Sequence, residues 1–221
     1  MRIDVWSDVV CPWCFIGFTR LDKAILLTGF EVEVYHHAFQ LDPNAGPEVG
    51  SAAANLAEKY GIGPEDALGM MSQVAEVAEQ DGLHYNLAET LHGNTMLAHK
   101  LLAYAATIGV QHELLLRLFH VYFEKAESIF TVADLLPHAV AVGLDEESAR
   151  TAMESDEFDQ VIEYDKAVAQ QIGVRGVPFF VFDQKLAVPG AESVEALVEA
   201  MQQAMAESSA ESESGSSPES Q

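Results

Sequence analysis

The chain has 221 residues, of which 49% are hydrophobic and 21% are charged. This composition excludes a disordered chain and a disulfide-stapled miniprotein, and the length allows one large domain or one domain with an insertion. The formal net charge of −24 repels phosphate backbones and anionic lipids, so we expect neither a nucleic acid nor a membrane as partner. No stretch is long and apolar enough to span a bilayer, and the amino terminus does not resemble a secretory signal, so we expect a cytoplasmic protein.

The first 36 residues predict a strand–helix–strand unit. Residues 3–6 form a short apolar strand, and a helical pattern then runs from Pro12 to Thr28, with Gly29 as its C-terminal cap. Residues 30–35 alternate apolar with acidic side chains, which predicts a second strand with one wetter face. Because a helix connects the two strands, they are expected to pair in parallel.

The middle of the chain, from residue 47 to about 172, predicts helices and no strand. Glycine and proline residues divide its apolar pattern into segments. The predicted helices span residues 48–60, 64–80, 94–108, 111–126, 132–142, 146–154 and 157–172.

The end of the chain returns to strands. Residues 179–182 form a continuous apolar run typical of a buried strand, and Asp183 and Gln184 can turn the chain into a second strand at 185–188. A last amphipathic helix begins near residue 194. Residues 206–221 are rich in Ser and Glu, and this composition predicts a disordered acidic tail.

The two cysteines stand together in the run Cys11-Pro12-Trp13-Cys14. A structural zinc site normally needs four ligands, and the sequence offers neither a second cysteine pair nor a convincing set of spaced histidines. The sequence therefore predicts no metal site, and redox chemistry is the favoured interpretation of the pair.

The position of the pair at a helix start gives its two sulfurs different roles. Pro12 suits the first helical position, which makes Cys11 the N-cap residue, facing the free N–H groups of the first turn. The positive end of the helix dipole stabilises a thiolate there. Cys14 falls on the apolar stripe of the same helix, so Cys11 is expected to attack and Cys14 to resolve the mixed disulfide. Trp13 is expected to cover the active surface.

A second segment with chemical meaning is Gly-Val-Arg-Gly-Val-Pro at 173–178, directly before the buried strand. A proline at that place fits a cis Val177–Pro178 bond that would bring the Val177 backbone beside the Cys11 sulfur, where it could hold a substrate by strand addition. A trans proline that simply starts the strand is the alternative.

Several motifs together resemble the DsbA family of thioredoxin-like proteins, in particular its cytoplasmic FrnE-type branch. The matching residues are Ser7-Asp8 before Cys-Pro-Trp-Cys-Phe-Ile-Gly at 11–17, Phe-Gln-Leu-Asp-Pro at 39–43, Asn94-Thr95 with Ala98-His99, Gly-Val-Arg-Gly-Val-Pro at 173–178, and Pro-Gly-Ala at 189–191.

The resemblance implies an α/β protein with a thioredoxin-like fold. A large all-helical insertion would separate the N-terminal βαβ unit from the C-terminal ββα unit. The expected division is a thioredoxin-like domain at 1–44 and 156–205, a helical insertion domain at 45–155 and the tail at 206–221. The same superfamily includes 2-hydroxychromene-2-carboxylate isomerase and kappa-class glutathione transferase. These two relatives carry a serine at the position where this chain has Cys11.

The resemblance implies a thiol-disulfide oxidoreductase or isomerase that acts on protein or small-molecule thiols and disulfides. Cys11 and Cys14 would be catalytic, and Pro12, Trp13, Val177 and Pro178 would bind substrate. Auxiliary candidates are Asp8, as a loop cap or proton carrier, Asn94 as a helix cap, His99 as a structural histidine and Arg175 beside the groove. No cofactor is required, although a low-molecular-weight thiol such as glutathione fits. A homodimer is one option for the assembly.

Two other functions stay open from the sequence. One is a thiol-cofactor-dependent isomerase or transferase acting on a small aromatic substrate in a pocket roofed by Met70, Met71, Leu83 and Tyr85. The other is a chaperone-like binding module whose cysteines stay idle.

Overall fold

The structure, a computed structural model, describes residues 1–214, with side chains up to Ser208. Its strands are β1 (Arg2–Ser7), β2 (Glu33–Ala38), β3 (Gly50–Ser51), β4 (Leu91–His92), β5 (Phe179–Phe182) and β6 (Leu186–Pro189). Its helices are α1 (Pro12–Thr28), α2 (Ala52–Tyr60), α3 (Pro64–Gln80), α4 (Met96–Ile108), α5 (Gln111–Phe119), α6 (Val132–Ala141), α7 (Glu146–Glu154), α8 (Asp159–Gln171) and α9 (Val194–Ser214).

A four-stranded mixed sheet in the order β2-β1-β5-β6 organises the fold. β1 pairs in parallel with β2, as the strand–helix–strand prediction requires, and antiparallel with β5. β2 begins at Glu33 rather than at residue 30, because Arg2 at the start of β1 is already paired with Glu33 and no β1 residue remains to pair with 30–32.

The predicted hairpin joins β5 to β6. Asp183 and Gln184 have left-handed φ values of 48° and 57°, and the Lys185 N–H closes the turn on the Phe182 carbonyl at 3.0 Å. Phe182 pairs with Leu186, so β6 begins at Leu186 rather than at the predicted residue 185. An oxygen of the Asp183 side chain accepts a hydrogen bond from the Arg2 backbone N–H at 2.7 Å. The turn is therefore tied to the start of β1.

The middle of the chain is helical as predicted, with two differences. β3 and β4 form a small antiparallel ladder, with Gly50 paired to His92, where the sequence predicted no strand. Strands of two residues are too short to give a periodic pattern. The helix predicted at 111–126 ends as α5 at Phe119 and continues as a π-helical turn, His120–Glu124.

The predicted tail is wrong in its first part, since α9 continues to Ser214 and residues 206–214 are helical. The Ser208 hydroxyl donates to Asp183 in the hairpin at 3.2 Å, and Lys185 Nζ donates to Ser208 at 3.3 Å. This support from a distant turn cannot be read from composition. Residues 215–221, also predicted as disordered, lie outside the described residues.

The sheet has a different helix partner on each face. Ile3 and Val5 of β1 are fully buried in the main core with α1 and α9, whereas Trp6 lies in a smaller cluster with Ala169 of α8. The main core also continues into the helical segment. No helix among residues 1–214 is long and apolar enough to cross a membrane.

Candidate active site

The two cysteines begin α1, as predicted. Cys11 is the N-cap residue, with an extended backbone at φ −88° and ψ 111°, and Pro12 occupies the first turn. The sulfur of Cys11 accepts no capping hydrogen bond, which differs from the expectation that it faces the first-turn N–H groups. The N–H of Cys14 donates instead to the Cys11 carbonyl at 3.0 Å, which leaves the Cys11 side chain free to turn toward another segment.

That other segment is the one before β5. The Val177–Pro178 peptide bond is cis, as the sequence suggested, and the Cys11 thiol donates to the Val177 carbonyl oxygen with Sγ and O 3.3 Å apart. Gly17 of α1 makes this approach possible, because an added Cβ there would lie 2.8 Å from Cγ of Pro178. The helix start and the proline segment therefore meet at the sulfur.

Cys14 is held as a protonated thiol. Its side chain is fully buried, and this burial raises its pKa well above the usual value. A hydrogen bond with Cys11 and the charge that Cys11 can carry raise the pKa further. The two sulfurs are thus chemically different, since Cys14 is enclosed by protein whereas Cys11 lines a cavity.

The cavity beside Cys11 has a volume of about 540 Å³. Pro12, Trp13 and Val177 line the cavity together with Cys11, and residues of α2 and α3 also line it. Trp13 is 39% exposed, as expected for a residue on the active surface rather than in the core. Cys11 itself is only 3% exposed, so the sulfur faces this cavity rather than the outer surface.

Asp8 and His99, two of the auxiliary candidates, contact each other. An Asp8 carboxylate oxygen lies 3.2 Å from Nε2 of His99, and both side chains are buried. The second Asp8 oxygen accepts the N–H of Leu41 at 2.8 Å, so Asp8 holds the loop that follows β2. The sequence did not predict this pairing, since the two residues are far apart along the chain.

Asn94 and Arg175 lie in different surroundings. The Asn94 side chain accepts the N–H of Met96 at 2.9 Å at the start of α4 and donates to the Ala45 carbonyl at 2.9 Å. It therefore connects this helix to the loop after β2. Arg175 is exposed and does not line the cavity beside Cys11; it borders a separate depression with Phe39 and Gln40.

Two residues proposed for a pocket roof have other positions. Met70 and Met71 line the cavity, but Leu83 is buried in the main core and Tyr85 stacks on Phe15 at 6.0 Å between ring centroids. Leu83 and Tyr85 follow α3 in the chain and pack in the main core, so they do not line the cavity.

Tyr85 is a site residue whose role the sequence did not indicate. Its hydroxyl donates to the Pro12 carbonyl at 2.8 Å and so braces the first turn of α1. Burial raises the Tyr85 pKa far above its usual value, and the charges that Cys11 and Cys14 can carry raise it further. The hydroxyl therefore remains a donor. No local signal could have found this contact, because it joins residues 73 positions apart.

Acidic, histidine and cysteine side chains form no group of three able to hold a metal ion within residues 1–214.

Comparison with known proteins agrees with this architecture. Residues 2–202 match the model of the DsbA-like thioredoxin domain. The chain superposes on a probable DsbA oxidoreductase from Streptomyces coelicolor with a TM-score of 0.88 and 34% identity, covering 94% of this chain and 91% of that one. An uncharacterised Bacillus subtilis protein, YwbO, is 28% identical over 86% of this chain and 90% of its own length.

A more distant solved structure is the cytosolic disulfide reductase DsbM from Pseudomonas aeruginosa with glutathione. Its TM-score is 0.61 at 15% identity, covering 96% of this chain and 98% of that one, a similarity of fold. The thioredoxin-like α/β fold expected from the sequence is confirmed. The chain belongs to the DsbA-like thioredoxin domain family.

Proposed function

We propose that this protein is a thiol-disulfide oxidoreductase that exchanges disulfides through Cys11 and Cys14. Cys11 is the attacking thiolate and Cys14 the resolving thiol. The observation that carries the proposal is the asymmetry of the pair: Cys11 lines a cavity at a helix start, whereas Cys14 is fully buried and its pKa is raised. A nucleophile must meet substrate, and a resolving thiol must be protected from it.

The surroundings of Cys11 support its role as the thiolate. The positive end of the α1 dipole favours a negative charge at the N-cap position. The buried Cys14 thiol, which hydrogen-bonds with Cys11, keeps its own proton and can donate to the neighbouring sulfur.

We assign the remaining predicted residues by their positions. Pro12, Trp13 and Val177 form the wall around the sulfur and contact the bound substrate, and Pro178 packs on Gly17 to hold Val177 in place. Asp8 and His99 act as a positioning pair, because Asp8 already accepts the Leu41 N–H and the contact with His99 occupies its other oxygen. Asn94 accepts the Met96 N–H at the start of α4, and Arg175 does not line the cavity.

A second candidate is an isomerase or transferase that holds a thiol cofactor next to a small substrate. The cavity beside Cys11 favours it, and the solved structure of DsbM contains glutathione. Titration calorimetry with glutathione tests this candidate on the Cys11→Ser variant, which cannot form a mixed disulfide at residue 11. A measurable heat with stoichiometric binding supports it, and no heat removes it.

We also propose that the protein works in the cytoplasm. The supporting observation is that DsbM, which shares the fold, is described as a cytosolic enzyme. In that compartment the pair is kept reduced by cellular thiols, so net reduction of disulfides is the expected direction.

The experiment that tests the main proposal uses the fact that the chain has only two cysteines. Reduced Cys14→Ser protein is expected to form a stable mixed disulfide at Cys11 with oxidised glutathione, detected by mass spectrometry. Reduced Cys11→Ser protein is expected to stay unmodified under the same conditions, because Cys14 is buried. Equal modification of the two variants would overturn the assigned roles, and no modification of the Cys14→Ser variant would overturn the function.

A further inference from the structure

The cavity limits what can reach the attacking sulfur. Cys11 is 3% exposed and lines a cavity of about 540 Å³ to which α2 and α3 also contribute side chains. Disulfide exchange requires both substrate sulfurs to approach the attacking sulfur in line. A disulfide inside a folded protein carries its backbone with it, whereas a cavity of this size encloses a drug-sized molecule. The site therefore fits small disulfides.

One wall of the cavity offers two polar donors. Asn55 and Lys59 of α2 both line it and lie four residues apart, so they share one face of the helix. Among residues 1–214 neither side chain has a hydrogen bond or ion pair. The other charged groups of the lining are occupied: Asp42 contacts His92 at 3.4 Å, and Asp8 contacts His99. Lys59 therefore has no carboxylate partner among the residues that the structure describes.

Most of the remaining lining contributed by α2 and α3 is apolar, with Gln73 as a polar exception. Met70, Met71 and Val74 of α3 and Leu56 of α2 line the cavity. An apolar body is desolvated favourably there, and methionine side chains adapt to flat or irregular shapes. The shape and charge of the lining fit an occupant with an apolar body and one anionic end.

We propose that the substrate of this site is a low-molecular-weight disulfide bearing a carboxylate, which Lys59 and Asn55 bind while Cys11 attacks the sulfur. The inference rests on the proposed function and selects small substrates over protein disulfides. It also explains a cation at this place: the net charge of −24 repels an anionic substrate, and a positive charge at the rim offsets that repulsion locally.

The exchange balances in two steps. The Cys11 thiolate bonds to one sulfur of the substrate, and the other sulfur leaves as a thiolate with the electron pair of the broken S–S bond. Cys14 then gives its proton to the departing thiolate and attacks Cys11, which releases the second thiolate and forms the Cys11–Cys14 disulfide. The substrate gains two electrons and the protein loses two. A dithiol such as dithiothreitol reverses this change in the protein.

The test measures second-order rate constants for oxidation of the reduced full-length protein by three disulfides. Dithiobis(nitrobenzoate) is small and anionic, dithiodipyridine is small and neutral, and insulin is a protein. Each rate constant is divided by the rate constant for the reaction of free glutathione with the same disulfide. This division removes the differences in intrinsic reactivity among the three disulfides. We expect the normalised rate with insulin to be lower than with dithiodipyridine by about tenfold or more, because the insulin backbone cannot enter the cavity.

Variants at Lys59 test whether its positive charge favours an anionic disulfide. We expect Lys59→Gln to lower the ratio of the rate with dithiobis(nitrobenzoate) to the rate with dithiodipyridine about threefold to tenfold, and Lys59→Glu to lower this ratio more. Because Lys59 is exposed, the difference between each variant and the wild type should shrink at high salt. Lys59→Arg should keep the ratio near that of the wild type. Lys166→Gln, the same change in net charge at a residue that does not line this cavity, is the matched control.

The outcomes separate the inference from the function on which it rests. Insulin reacting as fast as the small disulfides after normalisation, or Lys59→Gln and Lys166→Gln lowering the ratio equally, would overturn the inference while Cys11 still exchanges disulfides. Failure of the reduced wild type to react at Cys11 with any of the three would overturn the proposed function itself. If a Lys59 variant has a changed circular-dichroism spectrum, Asn55→Ala takes its place in the test. Asn55→Ala is expected to lower the ratio of the anionic to the neutral disulfide rate in the same way.

Discussion

His37 is an example of one side chain whose protonation depends on its neighbours. Its Nδ1 lies 2.7 Å from an Asp165 carboxylate oxygen and its Nε2 lies 2.7 Å from an Asp4 oxygen, while its ring stacks on Trp6. Because both ring nitrogens face carboxylates, both must donate, which requires the imidazolium. Burial lowers the His37 pKa, but the hydrogen bonds to Asp165 and Asp4 outweigh it and raise the pKa from 6.5 to about 9.

This arrangement predicts a stability that depends on pH. The folded-state pKa of His37 lies above the unfolded value, so its contribution is complete below about pH 6.5 and is lost as the pH rises through about 9. We expect the free energy of unfolding of the wild type to fall by about 3 kcal/mol across this window. Urea denaturation at several pH values measures it.

The control for that measurement is His37→Gln, compared with the parent in the Cys11→Ser background so that the thiol cannot contribute. We expect the variant to be less stable at pH 6.5 and to have a flatter profile between pH 6.5 and 9. Parallel profiles of the variant and its parent would show that His37 does not carry the effect.

At the scale of elements, the contact of α1 with the proline segment positions the site. Gly17 lies in the first half of α1, and a Cβ added to it would lie 2.8 Å from Pro178 Cγ and 3.2 Å from Phe180 Cζ. Glycine inside a helix normally costs stability relative to alanine. Its presence here is explained by the close approach of another backbone segment.

We therefore expect Gly17→Ala to destabilise the protein by about 1–3 kcal/mol, since overpacking outweighs the gain in helix propensity. Gly69→Ala on α3 is the matched control, because an added Cβ there meets nothing within 4 Å. The control should be stabilised by about 0.5–1 kcal/mol. Urea denaturation midpoints measure both changes, and a Gly17→Ala protein more stable than the wild type would contradict the close contact.

At the scale of the whole molecule, the dominant feature is charge. The 35 acidic residues far outnumber the 11 lysines and arginines, so the folded chain repels itself. Several lysine and arginine side chains already form ion pairs with acidic groups. Arg20 and Lys23, for example, both contact Asp81. Local pairs of this kind cannot neutralise the excess.

Added salt is therefore expected to stabilise the protein. Between 10 mM and 500 mM NaCl the screening length shortens several-fold, so we expect the free energy of unfolding to rise by about 1 kcal/mol or more. Thermal denaturation followed by circular dichroism measures the rise, and potassium chloride should give the same result if screening is the cause. A melting temperature that falls with either salt would contradict this account.

The sequence by itself determined the features that depend on a few neighbouring residues. Pro12 and Gly29 mark the start and end of α1, and Asp183 with Gln184 make the hairpin turn, because proline, glycine and turn residues restrict the local backbone. The spacing of apolar residues likewise predicted most helix boundaries. The Cys-Pro-Trp-Cys run and the later Val-Pro segment predicted the two segments that meet at the Cys11 sulfur.

Only the tertiary structure decided which distant residues complete that site. His99 contacts Asp8 across 91 positions, Tyr85 braces Pro12 across 73, and Lys59 joins the cavity through the packing of α2 against α3. The helix beyond residue 205 likewise depends on Ser208 meeting Asp183. Side-chain patterns repeat over one or two turns of chain and so report local geometry, whereas these contacts exist only after helices and strands have packed against one another.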